Sequence, residues 1–175
     1  MSSVSDGLSE NRGVIPEANA AARLIALLLP TALLLGALGS QYLGGLHPCE
    51  MCYWQRWPHG AAIALAALAF TAPASSQRSR ILTLLAALAI ALSGAIGVYH
   101  AGVEAGIFEG FTTCTAMASG ASTEELLRQI TQASIIRCDQ IQFAFLGISM
   151  AGWNAILSLG GALTIGWLWM KGSRA

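Results

Sequence analysis

Charged side chains are scarce in this sequence. Only 10% of the 175 residues are Asp, Glu, Lys or Arg, whereas a soluble domain usually carries about 25%. Hydrophobic residues make up 55% of the chain, so the composition excludes an ordinary soluble domain and is typical of a membrane protein. The net charge is zero, and no bulk attraction to nucleic acid is indicated.

Two sequence features that would suggest other functions or locations are also missing. Residues 1–23 are polar and contain no apolar run of the kind found in a signal peptide, so we interpret them as a loosely held cytoplasmic tail. The chain has no flavin or nucleotide fingerprint. If the protein carries out redox chemistry, its electrons therefore need an acceptor that is not bound by such a motif.

Four apolar stretches are long enough to cross a hydrocarbon core, which takes about 20 residues. They cover about residues 24–43, 53–72, 81–100 and 143–170. Within the third span, Ser93, Gly94 and Gly97 offer small surfaces for close helix packing, and Asn154 in the fourth span is suited to an interhelical hydrogen bond. We predict an all-α membrane protein, an antiparallel four-helix transmembrane bundle formed by residues 24–170.

Basic residues indicate the orientation of this bundle. Six of the nine lie in the tail, in the loop before the third span and in residues 171–175: Arg12, Arg23, Arg78, Arg80, Lys171 and Arg174. The positive-inside rule then puts both termini in the cytoplasm and the long loop 101–142 outside. Within that loop, Ser122-Thr-Glu-Glu125 fits a capping box. It predicts a short amphipathic helix, either on the membrane surface or packed on the bundle.

The chemistry is concentrated in Cys49-x-x-Cys52-x-x-x-Arg56. Pro48 suits the first position of a helix, and a helix beginning there puts both thiols in its first turn, on the face that also carries Arg56. The positive end of the helix dipole and the guanidinium both favour thiolate over thiol. Pro58 is expected to kink this helix.

The four cysteines form one close pair and one distant pair, Cys114 and Cys138. All four fall on the predicted outer side, where disulfides persist. Three interpretations are open: redox cycling, a structural zinc site and purely structural disulfides. Zinc sites prefer two close pairs, and a Cys-x-x-Cys disulfide restrains little unfolded chain, so the combination favours redox chemistry.

A lipid-soluble quinone is the simplest acceptor for electrons from such a pair. Arg56 must lie in the outer part of the membrane or its interface, where it can hydrogen-bond a quinone oxygen. The alternative is an arginine that reaches toward the headgroups beside Trp54 and Trp57. His100 lies at similar depth and either assists or is an ordinary interfacial histidine.

With these motifs and Phe145-Leu-Gly-Ile-Ser-Met150 after the last cysteine, residues 24 to 170 resemble the DsbB family. That family comprises bacterial inner-membrane proteins that reoxidise the periplasmic thioredoxin-fold oxidase DsbA and reduce a quinone, ubiquinone or menaquinone. The resemblance implies that protein disulfide formation is the function, that the long loop is periplasmic and that no metal is required.

The resemblance also implies residue roles. Cys114 would form the mixed disulfide with the DsbA-like partner, and Cys138 would exchange with Cys49. Cys52 would face the quinone and form a charge-transfer or covalent adduct with it, while Arg56 and His100 would contact the quinone.

Two alternatives remain at this stage. The vitamin K epoxide reductase group also combines four spans, a Cys-x-x-Cys and a quinone, but its loop cysteines precede that motif, whereas here they follow it. A membrane metal-binding or assembly protein would instead use the four thiols as ligands.

Overall fold

The computed structural model describes residues 3–110, 122, 124 and 137–172, with side chains from residue 17 onward. Its described elements are four helices and one small hairpin: α1 (Ser3–Tyr42), α2 (Glu50–Ala69), α3 (Gln77–Glu104), β1 (Ala144–Phe145), β2 (Ile148–Ser149) and α4 (Met150–Lys171). The described fold is therefore helical, as predicted. The amphipathic helix predicted in the long loop lies outside the described residues, apart from Ser122 and Glu124.

Two of the helical segments are long and apolar enough to cross a membrane, Glu17–Tyr42 within α1 and the whole of α3. Large apolar side chains point outward on the helices; Leu35, for example, is 62% exposed and Leu163 75%. Such surface is costly in water and suits contact with lipid. These features agree with a helical membrane protein.

Small residues form the interior of the helix assembly. The central cluster contains six alanines and only two larger side chains, Ile90 and Ile165. Alanine and glycine let helix backbones approach closely, which is how helices associate in lipid. A Cβ atom on Gly97 of α3 would lie 3.0 Å from the Ala151 carbonyl oxygen of α4, so the predicted close packing at this glycine is confirmed.

The N-terminal segment differs from our expectation of a loosely held tail, because α1 begins at Ser3. Residues 17–23 read Glu-Ala-Asn-Ala-Ala-Ala-Arg and are rich in strong helix formers. A helix that starts in the apolar span can therefore continue toward the N-terminus without a break.

The last helix begins later than predicted. We expected the fourth span to start near residue 143, but α4 starts at Met150, with Ser149 as its N-cap. The residues before it form the β1–β2 hairpin, in which Leu146 and Gly147 have positive φ angles of 53° and 78°. Two residues with positive φ match the tight two-residue hairpin turn. The hairpin positions Phe145 beside α4, where its carbonyl accepts a hydrogen bond from the Trp153 indole at 3.0 Å.

Candidate redox site

The start of α2 positions the cysteine pair. Cys49 is the N-cap residue, with an extended backbone (φ −76°, ψ 173°). Its sulfur accepts a hydrogen bond from the Cys52 backbone N–H at 3.3 Å. The two sulfur atoms lie 2.8 Å apart. Both thiols therefore stand at the first turn as predicted, whereas Pro48 precedes the cap and is not the first helical residue. The helix continues through Pro58 to Ala69.

The two thiols differ in their acid strength. Both cysteines lie before the predicted membrane span, residues 53–72. Hydrogen bonding from the Cys49 thiol outweighs the effect of burial and lowers the pKa of Cys52 to about 7, and the Arg56 charge makes a smaller contribution in the same direction. The same hydrogen bond, together with burial, raises the pKa of Cys49 well above its usual range. Our expectation that both thiols favour the thiolate is therefore wrong for Cys49. When the pair has lost one proton, the negative charge lies on Cys52 and the remaining proton stays on Cys49.

His100 and Cys138 lie beside this pair. The His100 Nε2 atom, at the end of α3, is 3.5 Å from the Cys49 sulfur. Cys138 is fully buried and packs in one cluster with Cys49, Met51 and Val103. The structure thus brings together three of the four cysteines that the sequence singled out. Cys114 lies outside the described residues.

Arg56 lies one turn further along α2 and reaches across to α1. Its Nη1 donates a hydrogen bond to Gln41 Oε1 at 2.5 Å, and its Nη2 donates to the Ala37 carbonyl oxygen at 3.1 Å. The guanidinium also lies 5.2 Å from the centre of the Tyr53 ring. The side chain is therefore directed between two helices, and these two contacts use two of its five N–H groups.

A cavity of about 600 Å³ lies next to these side chains. Its walls come from α1, the segment 44–48, α2, the end of α3, residues 140–145 and α4, and most of the lining is apolar. Polar residues at the start of α2 and at the end of α3 line it: Cys49, Cys52, Gln55, Arg56, His100 and Glu104. A mostly apolar cavity with a few convergent polar groups is the usual form of a small-molecule site.

Sequence reasoning missed a buried polar network behind the cysteines. Gln55 is buried and contacts His100, while Asn154 of α4 contacts both Gln55 and Ser93. His59, one turn beyond Gln55, is also buried and contacts Asn154 at 2.9 Å. The interhelical role predicted for Asn154 is confirmed. Gln55 and His59 could have been found as polar residues inside an apolar span, a feature that points to function by default.

Three side chains at the cysteine pair are also close enough together to bind one metal ion. The ligand atoms of Cys49, Cys52 and His100 all lie within 4.8 Å of one another. Glu104 is near the same group, with its Oε1 3.8 Å from His100 Nε2. A thiol–imidazole set of this kind suits zinc.

Comparison with known proteins agrees with the geometry. The family model of the disulfide bond formation protein DsbB matches residues 19–168. A similar curated protein is the uncharacterized protein RP370 of Rickettsia prowazekii (strain Madrid E), which is 26% identical over 123 residues, covering 69% of this chain and 70% of that protein. No solved structure matches the chain. With its Cys-x-x-Cys pair at the start of α2 and a family match over most of its length, the chain belongs to the DsbB family of disulfide bond formation proteins.

Proposed function

We propose that this protein oxidises a periplasmic, DsbA-like thioredoxin-fold dithiol and passes the electrons to a membrane quinone. One observation carries the proposal: the contacting Cys49–Cys52 pair lies at an apolar cavity whose wall also contains Arg56 and His100. Two thiols can deliver two electrons and two protons as they form a disulfide, which is what a quinone takes up on full reduction. The net reaction joins the partner's two thiols in a disulfide and yields a hydroquinone.

The proposed quinone site fits the residues present. The cavity is lined mostly by apolar side chains, and the donors near Cys52 suit the carbonyl oxygens of a quinone ring. A bound quinone, either ubiquinone or menaquinone, would supply the two-electron acceptor. In this proposal Cys52 faces it, since its lowered pKa makes it the reactive thiolate. Arg56 hydrogen-bonds one of its oxygens, and His100 contacts it from the end of α3.

The remaining cysteines relay electrons toward this pair. Cys138 packs in the same buried cluster as Cys49, which supports thiol–disulfide exchange between them. In the proposed sequence the partner's thiolate attacks Cys114 of a Cys114–Cys138 disulfide and releases the Cys138 thiolate. Cys138 then attacks Cys49 of a Cys49–Cys52 disulfide and releases the Cys52 thiolate. Each exchange breaks one disulfide and forms another, with one thiolate leaving, so no further oxidant is needed.

We further propose that all four helices cross the bacterial inner membrane as an antiparallel bundle. Both termini would be cytoplasmic and all four cysteines periplasmic. The six-to-three split of basic residues supports this orientation. The test is labelling of single-cysteine variants in reduced, intact cells with a membrane-impermeant thiol reagent. Labelling of Cys114 only after lysis would contradict the orientation, whereas Cys138 is buried and is not a suitable probe.

The central experiment is quinone reduction by the purified protein in nanodiscs with a reduced thioredoxin-fold oxidase as electron donor. Loss of quinone absorbance and formation of the donor disulfide should proceed in a one-to-one ratio. Donor oxidation without any quinone reduction, under anaerobic conditions, would contradict the proposal.

A thiol metal site is the second candidate, favoured by the close spacing of Cys49, Cys52 and His100. In that case the freshly purified, reduced protein should contain about one equivalent of bound metal. Chelation should then alter its stability. Metal-free protein that turns over quinone would exclude metal binding as the main role.

A further inference from the structure

We propose that Asn154 and Gln55 are positioning residues, which hold His100 so that its Nε2–H donates a hydrogen bond to the Cys49 sulfur. The inference rests on the proposed function, because it concerns how the Cys49–Cys52 pair is made reactive. It is drawn from hydrogen bonds between side chains of α4, α2 and α3, and each step has a donor that can be identified.

The first step is the orientation of the Gln55 amide. Its Nε2 lies 3.3 Å from the backbone carbonyl oxygen of Met51. A carbonyl oxygen only accepts hydrogen bonds, so the amide end beside it must be the NH₂ group. The other end, Oε1, lies 2.8 Å from Asn154 Nδ2 and accepts from it. Gln55 is only 7% exposed, so water competes little for these contacts.

A second backbone carbonyl fixes Asn154 in the same way. Its Nδ2 lies 3.2 Å from the Ser93 carbonyl oxygen, which again can only accept. Its Oδ1 accepts from the Ser158 hydroxyl at 3.0 Å and from His59 Nε2 at 2.9 Å. Asn154 therefore donates to Gln55, and the reverse arrangement would leave two carbonyl oxygens facing acceptors.

These two orientations determine the tautomer of His100. Gln55 Nε2 lies 2.7 Å from His100 Nδ1, and because Gln55 donates, Nδ1 must accept. A neutral imidazole carries one proton, which is then on Nε2. That atom lies 3.5 Å from the Cys49 sulfur and 3.8 Å from Glu104 Oε1, and the ring also contacts the Cys138 backbone, so the sulfur is one of the acceptors that surround this N–H group. Since the ring is only 3% exposed, contacts with the protein and not with bulk water determine which tautomer His100 adopts.

The donors therefore run in one direction, from Asn154 through Gln55 and His100 to Cys49. The Cys49 thiol in turn lies 2.8 Å from the Cys52 sulfur. A donor that reaches the Cys49 sulfur polarises its S–H bond, so that Cys49 becomes a better donor to Cys52. The chain of hydrogen bonds favours Cys52 as the thiolate of the pair. A network that only packs helices would not require this direction.

Nitrogen NMR of the full-length, reduced protein tests the tautomer directly, without quinone or partner. The chain has only three histidines, so ¹⁵N-histidine spectra can be assigned by substitution. We expect His100 to carry its proton on Nε2 in the wild-type protein and to lose this preference in Gln55→Met. Ser158→Ala is the matched control, because it perturbs the same network but leaves both fixed donors in place. It should keep the wild-type tautomer.

The rate of alkylation of Cys52 at fixed pH is the second measurement, in a background with Cys114→Ser and Cys138→Ser. Loss of a neutral hydrogen bond of about 1 kcal/mol should slow alkylation about fivefold in Gln55→Met, with no change in Ser158→Ala. A proton on Nδ1 in the wild-type spectrum would overturn the proposal even if Gln55→Met failed to fold. So would an unchanged tautomer or an unchanged alkylation rate in that variant.

Failure of this inference can be told apart from failure of the proposed function. A protein that fails to reduce quinone can still show the Nε2–H tautomer and the slower alkylation. Conversely, normal quinone reduction with a proton on Nδ1 would leave the proposed function intact and remove the positioning role of Gln55 and Asn154.

Discussion

Arg56 and Gln41 join α2 to α1 beside the cavity, through a hydrogen bond of 2.5 Å from the guanidinium to the amide oxygen. Neither interpretation of Arg56 from the sequence included this contact. It holds the guanidinium at the cavity wall, one turn beyond Cys52, and it also makes the arginine a link between two helices. A test of its chemical role must therefore separate the charge from the helix contact.

The first prediction concerns the separate roles proposed for Cys52 and Cys114. Cys52→Ser should abolish quinone reduction, because it removes the thiolate that lines the cavity. Cys114→Ser should block exchange with the partner but leave the Cys49–Cys52 pair oxidisable by quinone. Both variants are assayed for quinone reduction with a small dithiol and with the protein partner. Normal quinone turnover in Cys52→Ser would contradict the assignment.

The pH dependence of Cys52 reactivity is the second prediction. Because its pKa is lowered to about 7, the thiolate should persist down to about neutral pH, and the alkylation rate should fall as the pH drops through that value. Cys49→Ala removes the hydrogen-bond donor that is the largest cause, so the midpoint should move up toward the usual thiol value. The alkylation rate is measured against pH with Cys114 and Cys138 replaced by serine. An unchanged midpoint in Cys49→Ala would rule out the hydrogen bond as the cause.

Helix packing at Gly97 gives the third prediction. An added Cβ would lie 3.0 Å from the Ala151 carbonyl oxygen and 3.1 Å from the Ala155 nitrogen, so α3 and α4 would have to move apart. Overpacking against backbone costs about 1–3 kcal/mol, which exceeds the gain in helix propensity of about 1 kcal/mol. Gly97→Ala should lower the thermal unfolding temperature in detergent.

Gly60→Ala is the matched control for this packing test. Gly60 lies inside α2, and its added Cβ would meet nothing within 4 Å. Its unfolding temperature should stay the same or rise, because only the helix propensity changes. Equal effects of the two substitutions would show that the α3–α4 contact does not limit stability.

Much of the local arrangement at the cysteines could be predicted from the sequence. Few of the contacts that other helices make with these residues could be predicted. The positions of Cys49, Cys52 and Arg56 follow from helical spacing alone. The contacts Gln55–His100 and Arg56–Gln41 join different helices, so they depend on how each helix is rotated and how deeply it packs. No local pattern contains that information.

The hairpin before α4 could not be predicted for a different reason. Residues 143–149 form a largely apolar run that continues into the helix, so periodicity and composition both favour one long span. The turn depends on a positive φ at Leu146, a residue with no preference for that conformation. The hairpin is stabilised instead by its strand pairing and by the bond from Trp153 to Phe145.

The last prediction concerns Arg56. If its guanidinium polarises a quinone oxygen, Arg56→Met should raise the apparent KM for quinone and slow quinone reduction. A charge-assisted hydrogen bond contributes about 1.5–3 kcal/mol, so the expected loss in kcat/KM is roughly ten- to a hundredfold. Arg56→Lys should recover only part of the activity, because an ammonium keeps the charge but not the planar set of donors. Exchange between the Cys114/Cys138 pair and the partner should be largely unaffected.

Gln41→Leu separates this chemical role from the link between helices. It removes the 2.5 Å contact to α1 but leaves the positive charge beside Cys52. If Arg56 acts on the quinone, Gln41→Leu should keep most of the quinone kinetics per folded molecule, while Arg56→Met loses them. If Arg56 only holds α1 and α2 together, the two variants should show the same loss of thermal stability and the same small kinetic change. Steady-state rates against quinone concentration, normalised to folded protein, distinguish these outcomes, and unchanged kinetics in Arg56→Met would leave the arginine as a structural link between α1 and α2.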